Sequence, residues 1–178
     1  LASLADDPQQ RAVLAARERH NPEPYNRSTF GTEASLAALT AQRTREWWGT
    51  YANPNGAIIS IAGAINPSQG IELITKHFGQ WSGQADAPVI HATAPRGYAH
   101  EEDDTNQVQI IVVNDAPAAG TDYEMYELLA VSVLSGGMSG RLFTEVREKR
   151  GLCYSVSASY RAEKEFGLVT SYVGTTPE

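Results

Sequence analysis

Large and small side chains alternate over residues 152–160, and this period of two predicts a β-strand. Tyr154 falls on its apolar face, and three serines fall on the opposite face. A polar turn at residues 161–165 leads into an apolar run at residues 166–173. We therefore predict that the second run returns as an antiparallel partner of the first.

Two further strands and several helices are predicted upstream. One predicted strand lies at residues 107–113. The other lies at the isoleucine-rich residues 57–64, whose composition is typical of a strand buried on both faces. Helix-start signals, in which a short polar side chain precedes a helical period, occur at Asp7, Thr32, Thr40, Asn66, Asp122 and Ser139. These elements predict an α+β fold, a mostly antiparallel sheet with helices packed on one face.

The last two predicted helices lie directly before the alternating strand. The helix after Asp122 carries Met125, Leu128, Leu129 and Ser132 along one side, which we expect to be buried. The helix after Ser139 should bury Leu142, Phe143 and Val146. Gly151 should terminate this second helix, because glycine is favoured at helix ends.

A domain boundary is predicted near residue 24. Pro22 and Pro24 forbid regular structure there, so residues 20–31 should cross between two packed units. Residues 1–24 are then the tail of a preceding domain with its linker, and residues 25–178 form one domain. Since the sequence lacks an initiator Met and ends at what resembles a helix start, we expect it to be part of a longer protein.

Composition narrows the possible functions. The chain has 178 residues, 42% of them hydrophobic, which is enough for one core. A net charge of -7 with scattered basic residues argues against nucleic-acid binding, and no apolar run is long enough for a membrane span. The single cysteine, Cys153, excludes an internal disulfide and leaves cytoplasm and periplasm equally open.

Several kinds of site are disfavoured by the motifs. The four histidines are too far apart for a metal-binding helix face, and neither H-x-x-E-H nor H-E-x-x-H occurs, so no metal ligand is expected. The glycine-rich residues 136–141 lack the lysine of a phosphate-binding loop and follow a helix instead of a strand. They also lack the second glycine of a serine-hydrolase nucleophile elbow.

Arg147 and Tyr154 are the candidate catalytic residues. Seven positions separate them, the arginine near the end of a helix and the tyrosine at the start of a strand. A cation and a phenol so placed could converge on one substrate carbonyl. The ordinary alternative is that the arginine complements the helix dipole and the tyrosine packs. The residues alone favour that alternative.

Residues 136–156, GGMSGRLFTEVREKRGLCYSV, resemble the signature of the C-terminal, zinc-free domain of pitrilysin/insulinase-type zinc metallopeptidases, in their bacterial processing-peptidase-like branch. A second set of segments resembles the entry into the same domain, in the same order. It comprises residues 25–33 (YNRSTFGTE), 39–40 (LT), 51–55 (YANPN), the strand ending at Gly63 and residues 78–81 (FGQW). The resemblance covers nearly the whole chain beyond residue 20.

The resemblance implies a role for Arg147 and Tyr154. In this family two similar domains form half of a clamshell, and two halves enclose a peptide. One domain binds zinc through H-x-x-E-H, and an Arg/Tyr pair of the opposing half binds the substrate carbonyl and stabilises the oxyanion. The resemblance therefore implies a peptide substrate, a zinc-bearing partner domain or subunit, and a homo- or heterodimer. The chain alone should not hydrolyse peptides.

Two other functions remain open. The chain could be a catalytically silent structural or assembly subunit of the same superfamily, like the core subunits of respiratory bc1 complexes. It could also be a stand-alone peptide-binding module, whose exposed strand edges pair with an extended peptide.

Overall fold

The computed structural model describes residues 2–84, 89 and 96–177. The chain divides into two compact units. One consists of Leu1–Phe30 with Ile90–Glu178, and the other of Gly31–Val89. The predicted boundary near residue 24 stays a prediction.

The first unit contains a three-stranded antiparallel sheet. Its strands are β1 (Val108–Ala116), β2 (Ser155–Ala162) and β3 (Gly167–Thr175), in the order β1-β3-β2. Gly174 of the central strand pairs with Gln109 on one side and with Ser155 on the other. The predicted α+β class is confirmed, and all three strands lie within a few residues of their predicted positions.

One short and two longer α-helices accompany the sheet among the described residues of this unit. Helix α1 is Ala2–Ala5, and α2 is Pro8–His20. The predicted cap is confirmed, because Asp7 accepts a hydrogen bond of 2.9 Å from the Gln10 N–H. Helix α2 lies against β1. Helix α6 is Glu124–Ser135 and lies against β2, with the Ser135 Oγ accepting from the Ala158 N–H at 2.9 Å.

The buried side of α6 was predicted incorrectly. Val131 is only 7% exposed, whereas the predicted core residues Met125, Leu128 and Leu129 are about half exposed, at 59%, 47% and 56%. Asp122 does not cap the helix, which begins after Tyr123 without a side-chain cap. Apolar residues surround most of α6, so periodicity could not select the face that packs.

The helix that follows is a π-helix rather than the predicted α-helix. It spans Phe143–Glu148, and the Lys149 N–H donates to the Thr144 carbonyl five residues earlier, at 3.0 Å. The π-helix ends at Glu148, three residues before the predicted terminator Gly151. Gly151 has a φ of 63°, a conformation that glycine adopts without strain, and its N–H donates to the Arg147 carbonyl.

The second unit holds three helices, α3 (Glu33–Ala37), α4 (Ala41–Tyr51) and α5 (Pro67–Phe78). The side chains of Thr32, Thr40 and Asn66 cap them as predicted. The predicted strand at residues 57–64 is wrong: this segment forms no strand, and Ile58 is 90% exposed. A strand requires a hydrogen-bonded neighbour, and the described residues supply none.

No helix in the described ranges combines the length and the apolar character needed to cross a bilayer.

Candidate functional site

Arg147 lies in the π-helix and is exposed. Its guanidinium carbon stacks 4.7 Å from the centre of the Phe143 ring. The neighbouring cations are engaged differently, because Lys149 and Arg150 both pair with Glu145, at 2.7 and 3.6 Å. The Arg147 side chain makes no hydrogen bond or ion pair with any described residue. Its guanidinium N–H groups are therefore free to bind an anion or a carbonyl oxygen.

Tyr154 lies one residue before β2 rather than within it. Its N–H donates to the Gly174 carbonyl at 3.2 Å, which holds the residue beside the end of β3. Its phenol O–H donates to Gln107 Oε1 at 3.0 Å, and Gln109 Nε2 donates to the phenol oxygen at 3.4 Å. The side chain is 44% exposed. The ring therefore turns toward the Gln109 side of the sheet, not toward the predicted Val156 side.

Gly174 leaves the space that the Tyr154 ring occupies. A Cβ atom at Gly174 would lie 2.8 Å from the Tyr154 hydroxyl oxygen and 2.9 Å from its Cζ. The same Cβ would lie 2.5 Å from the Tyr172 hydroxyl oxygen. Real Cβ atoms essentially never approach so closely, so a larger residue at position 174 would require the ends of both phenol side chains to shift.

Tyr172 anchors the same group of side chains from within the sheet. It is 5% exposed, and its O–H donates to Gln109 Oε1 at 2.7 Å. Burial raises the pKa of the Tyr172 phenol, with a smaller contribution from the nearby Tyr154 phenol. We refer to Gln107, Gln109, Tyr154 and Tyr172 as the phenol cluster.

The structure thus places both predicted site residues at exposed positions on either side of the Gly151 turn. Within the described residues, no hydrogen bond joins Arg147 to Tyr154. The sequence reasoning did not identify Gln107, Gln109 or Tyr172. The only local signal was the pair of glutamines, which alternate with apolar residues at the start of β1.

A second polar group lies at the other end of β1. His20 Nε2 is 3.1 Å from Asp115 Oδ1, and Arg96 pairs with the other carboxylate oxygen. Arg96, and less strongly His20, lowers the pKa of the Asp115 carboxyl. We refer to these three residues as the His20 cluster. It borders a cavity of about 910 Å³ between α2 and β1, lined by side chains of both charge signs.

Metal ligands are not assembled in the part of the chain that the structure describes. No three His, Cys, Asp or Glu side chains there could hold a metal ion together. These residues therefore do not fit a resident zinc ion. Cys153, the single cysteine of the sequence, is buried and forms no disulfide.

The chain resembles several known proteins. The family model described as the peptidase M16 inactive domain matches residues 38–178. The uncharacterized zinc protease YmxG of Bacillus subtilis is 31% identical over 150 residues, which cover 82% of this chain and 36% of that protein. The uncharacterized zinc protease SCO5738 of Streptomyces coelicolor is 30% identical over 188 residues, covering 99% of this chain and 41% of the relative. The chain thus spans well under half the length of these relatives.

Solved structures share the fold. A crystal structure of a peptidase M16 inactive domain from Pseudomonas fluorescens matches with a TM-score of 0.86 at 20% identity, covering 99% of this chain and 44% of that chain. A chain of Complex III2 from Candida albicans, solved with Inz-5 bound, matches with a TM-score of 0.79 at 13% identity, covering 98% and 44%. The family match covers most of the sequence, and the chain therefore belongs to the peptidase M16 inactive domain family.

Proposed function

We propose that this chain is the zinc-free half of a peptidase active site, which binds a peptide substrate and stabilises the transition state of its hydrolysis. The observation that carries this proposal is the free guanidinium of Arg147. Its neighbours Lys149 and Arg150 are both paired with Glu145, whereas Arg147 has no acceptor among the described residues. An exposed cation held in place by an aromatic ring is suited to binding an oxygen that gains negative charge.

The two proposed catalytic residues would act as donors to the same substrate oxygen. Attack of water on a peptide carbonyl converts the carbonyl oxygen into an oxyanion. Arg147 would stabilise that charge with its guanidinium N–H groups, and Tyr154 would donate its phenol hydrogen. Both donors strengthen as charge develops, so they lower the barrier more than they tighten ground-state binding.

The zinc-dependent step would come from outside these residues. The relatives are named zinc proteases, and the described residues contain no group that could hold the metal. We assign zinc, which would activate the attacking water, to a partner domain or subunit. A homo- or heterodimer would bring the two halves together around the peptide.

Kinetics of the full-length, zinc-loaded protein test this proposal. With an internally quenched peptide that the wild type cleaves, Arg147→Ala and Tyr154→Phe should each lower kcat/KM by about 10²-fold, because each removes a transition-state donor. Arg45→Ala and Tyr123→Phe are matched controls at exposed positions of the same residue types. Unchanged kcat/KM in both Arg147→Ala and Tyr154→Phe would refute the proposed role.

A second candidate is a catalytically silent assembly subunit. The fold match to a chain of Complex III2 supports it, because that chain carries this fold as part of a complex. This candidate predicts that the full-length protein co-purifies with a membrane complex and that the Arg147 and Tyr154 substitutions leave its assembly intact. Peptidase activity of the purified protein that depends on these two residues would exclude it.

A further inference from the structure

The phenol cluster contains a hydrogen-bond arrangement that the proposed role of Tyr154 does not by itself explain. The Tyr154 O–H donates to Gln107 Oε1 at 3.0 Å. A phenol hydroxyl has one hydrogen. In this arrangement that hydrogen is bonded to Gln107 and cannot also be donated to a substrate. If Tyr154 stabilises an oxyanion, its hydrogen must leave Gln107 when the substrate binds.

Gln109 lowers the free-energy cost of moving the phenol hydrogen from Gln107 to the substrate. Its Nε2 lies 3.2 Å from Gln107 Oε1 and 3.4 Å from the Tyr154 phenol oxygen, so its two amide hydrogens reach both atoms. When the phenol hydrogen turns away, Gln107 Oε1 still accepts from Gln109 and is not left unsatisfied. The phenol oxygen also keeps a donor, which makes the remaining O–H a stronger donor to the substrate.

The orientation of Gln109 is itself fixed. Tyr172, which is buried, donates to Gln109 Oε1 at 2.7 Å, and this bond directs the amide nitrogen toward Tyr154. Gln109 pairs with Gly174 across the sheet, so its backbone is held by the β1–β3 ladder. A glutamine held at both its backbone and its carbonyl oxygen loses little entropy when it positions a neighbour.

We infer that Gln107 and Gln109 are positioning residues, which hold the Tyr154 phenol over Gly174 and release its hydrogen to the substrate oxyanion. This inference rests on the proposed function, in which Tyr154 is the catalytic donor. Gln107 accepts the hydrogen in the resting site, and Gln109 polarises the phenol. Neither glutamine needs to contact the peptide.

A double-mutant cycle in the full-length, zinc-loaded protein tests the inference. With the internally quenched peptide, Gln107→Met and Gln109→Met should each lower kcat by about 3- to 10-fold, the effect of one hydrogen bond, and leave KM within about 2-fold. In the Tyr154→Phe background the same substitutions should change kcat by less than about 2-fold, because the group through which they act is gone. Gln42→Met, on the exposed face of α4, is the matched control.

A second variant guards against loss of folding. Gln109→Glu keeps the acceptor for Tyr172 but lacks the amide hydrogens, so it should reproduce the kcat loss of Gln109→Met. Equal kcat losses in the wild-type and Tyr154→Phe backgrounds, or no loss in either, would overturn the inference while leaving the role of Tyr154 intact. If Tyr154→Phe alone has no effect on kcat/KM, the proposed function fails first.

Discussion

The two ends of β1 carry polar groups of opposite character. At the C-terminal end, the His20 cluster is made of ionisable side chains that satisfy one another, with Asp115 bound by both His20 and Arg96. At the N-terminal end, the phenol cluster is uncharged, and its Tyr154 side chain is 44% exposed. Arg147 beyond it has no ion-pair partner among the described residues. The charged groups at the C-terminal end are therefore paired with one another, whereas the Arg147 guanidinium near the other end is unpaired among the described residues.

We infer that mutual pairing, and not charge density, distinguishes a structural polar group from one that could bind a ligand. A carboxylate already bound by a guanidinium and an imidazole has little capacity left for a ligand. A neutral hydrogen-bond network can hold a phenol in place and leave a neighbouring cation unpaired. We therefore infer that the His20 cluster serves the packing of α2 on β1. Substitutions at Gly174, Arg147, Arg96 and Asp115 test this contrast between the two ends of the strand.

The largest expected effect is at Gly174. Gly174→Ala introduces a Cβ 2.5 Å from the Tyr172 hydroxyl oxygen and 2.8 Å from that of Tyr154, so both phenols must move. Since displacement of a catalytic group by about 1 Å can cost about 10²-fold in rate, kcat/KM should fall by that order. Peptide-cleavage kinetics measure it. Gly49→Ala, where a Cβ meets nothing within 4 Å, should leave activity unchanged.

An intermediate effect is expected from exchanging arginine for lysine at each end of the strand. Arg147→Lys keeps the charge but loses the planar fork and its stacking on Phe143, so kcat/KM should fall by about 10-fold. Arg96→Lys keeps an ion pair with Asp115 and should change kcat/KM by less than about 2-fold. Equal losses at both positions would contradict the assignment of the two groups.

The smallest expected effect is the acid sensitivity of the His20 cluster. Because Arg96 and His20 lower the pKa of Asp115, its carboxylate stabilises the fold above the unfolded value of 3.8. That contribution is lost as the pH falls through the lower folded pKa. Asp115 is 64% exposed, so the effect should lie within the ~0.2–1 kcal/mol range of exposed pairs.

Urea unfolding between pH 6 and pH 3 measures this effect. Asp115→Asn should lower the free energy of unfolding near neutral pH and show a flatter acid dependence than the wild type. Glu102→Gln, which is exposed and forms no ion pair with a described residue, is the control. An identical pH dependence in wild type and Asp115→Asn would show that the His20 cluster does not support the fold.

Local patterns explain which elements could be predicted. The caps at Asp7, Thr32, Thr40 and Asn66 involve residues no more than three positions apart, and all four formed as predicted. The strands β2 and β3 could be predicted because side-chain character alternates along the first and a short polar turn joins the two. Residues 57–64 have the composition of a strand, yet composition cannot supply a hydrogen-bonded neighbour. For α6, the sequence pattern could not select the buried face, because apolar residues lie on several sides of that helix.

Short-range patterns along the chain were enough to predict the family, the α+β class, the antiparallel pairing of β2 with β3 and the spacing of Arg147 and Tyr154. Tertiary structure alone decided the surroundings of Tyr154. Its hydroxyl partner Gln107 is 47 positions away, and Tyr172 reaches Gln109 across a separation of 63. Such contacts follow from strand register and from the space above Gly174, and neither can be deduced from the order of residues along the chain.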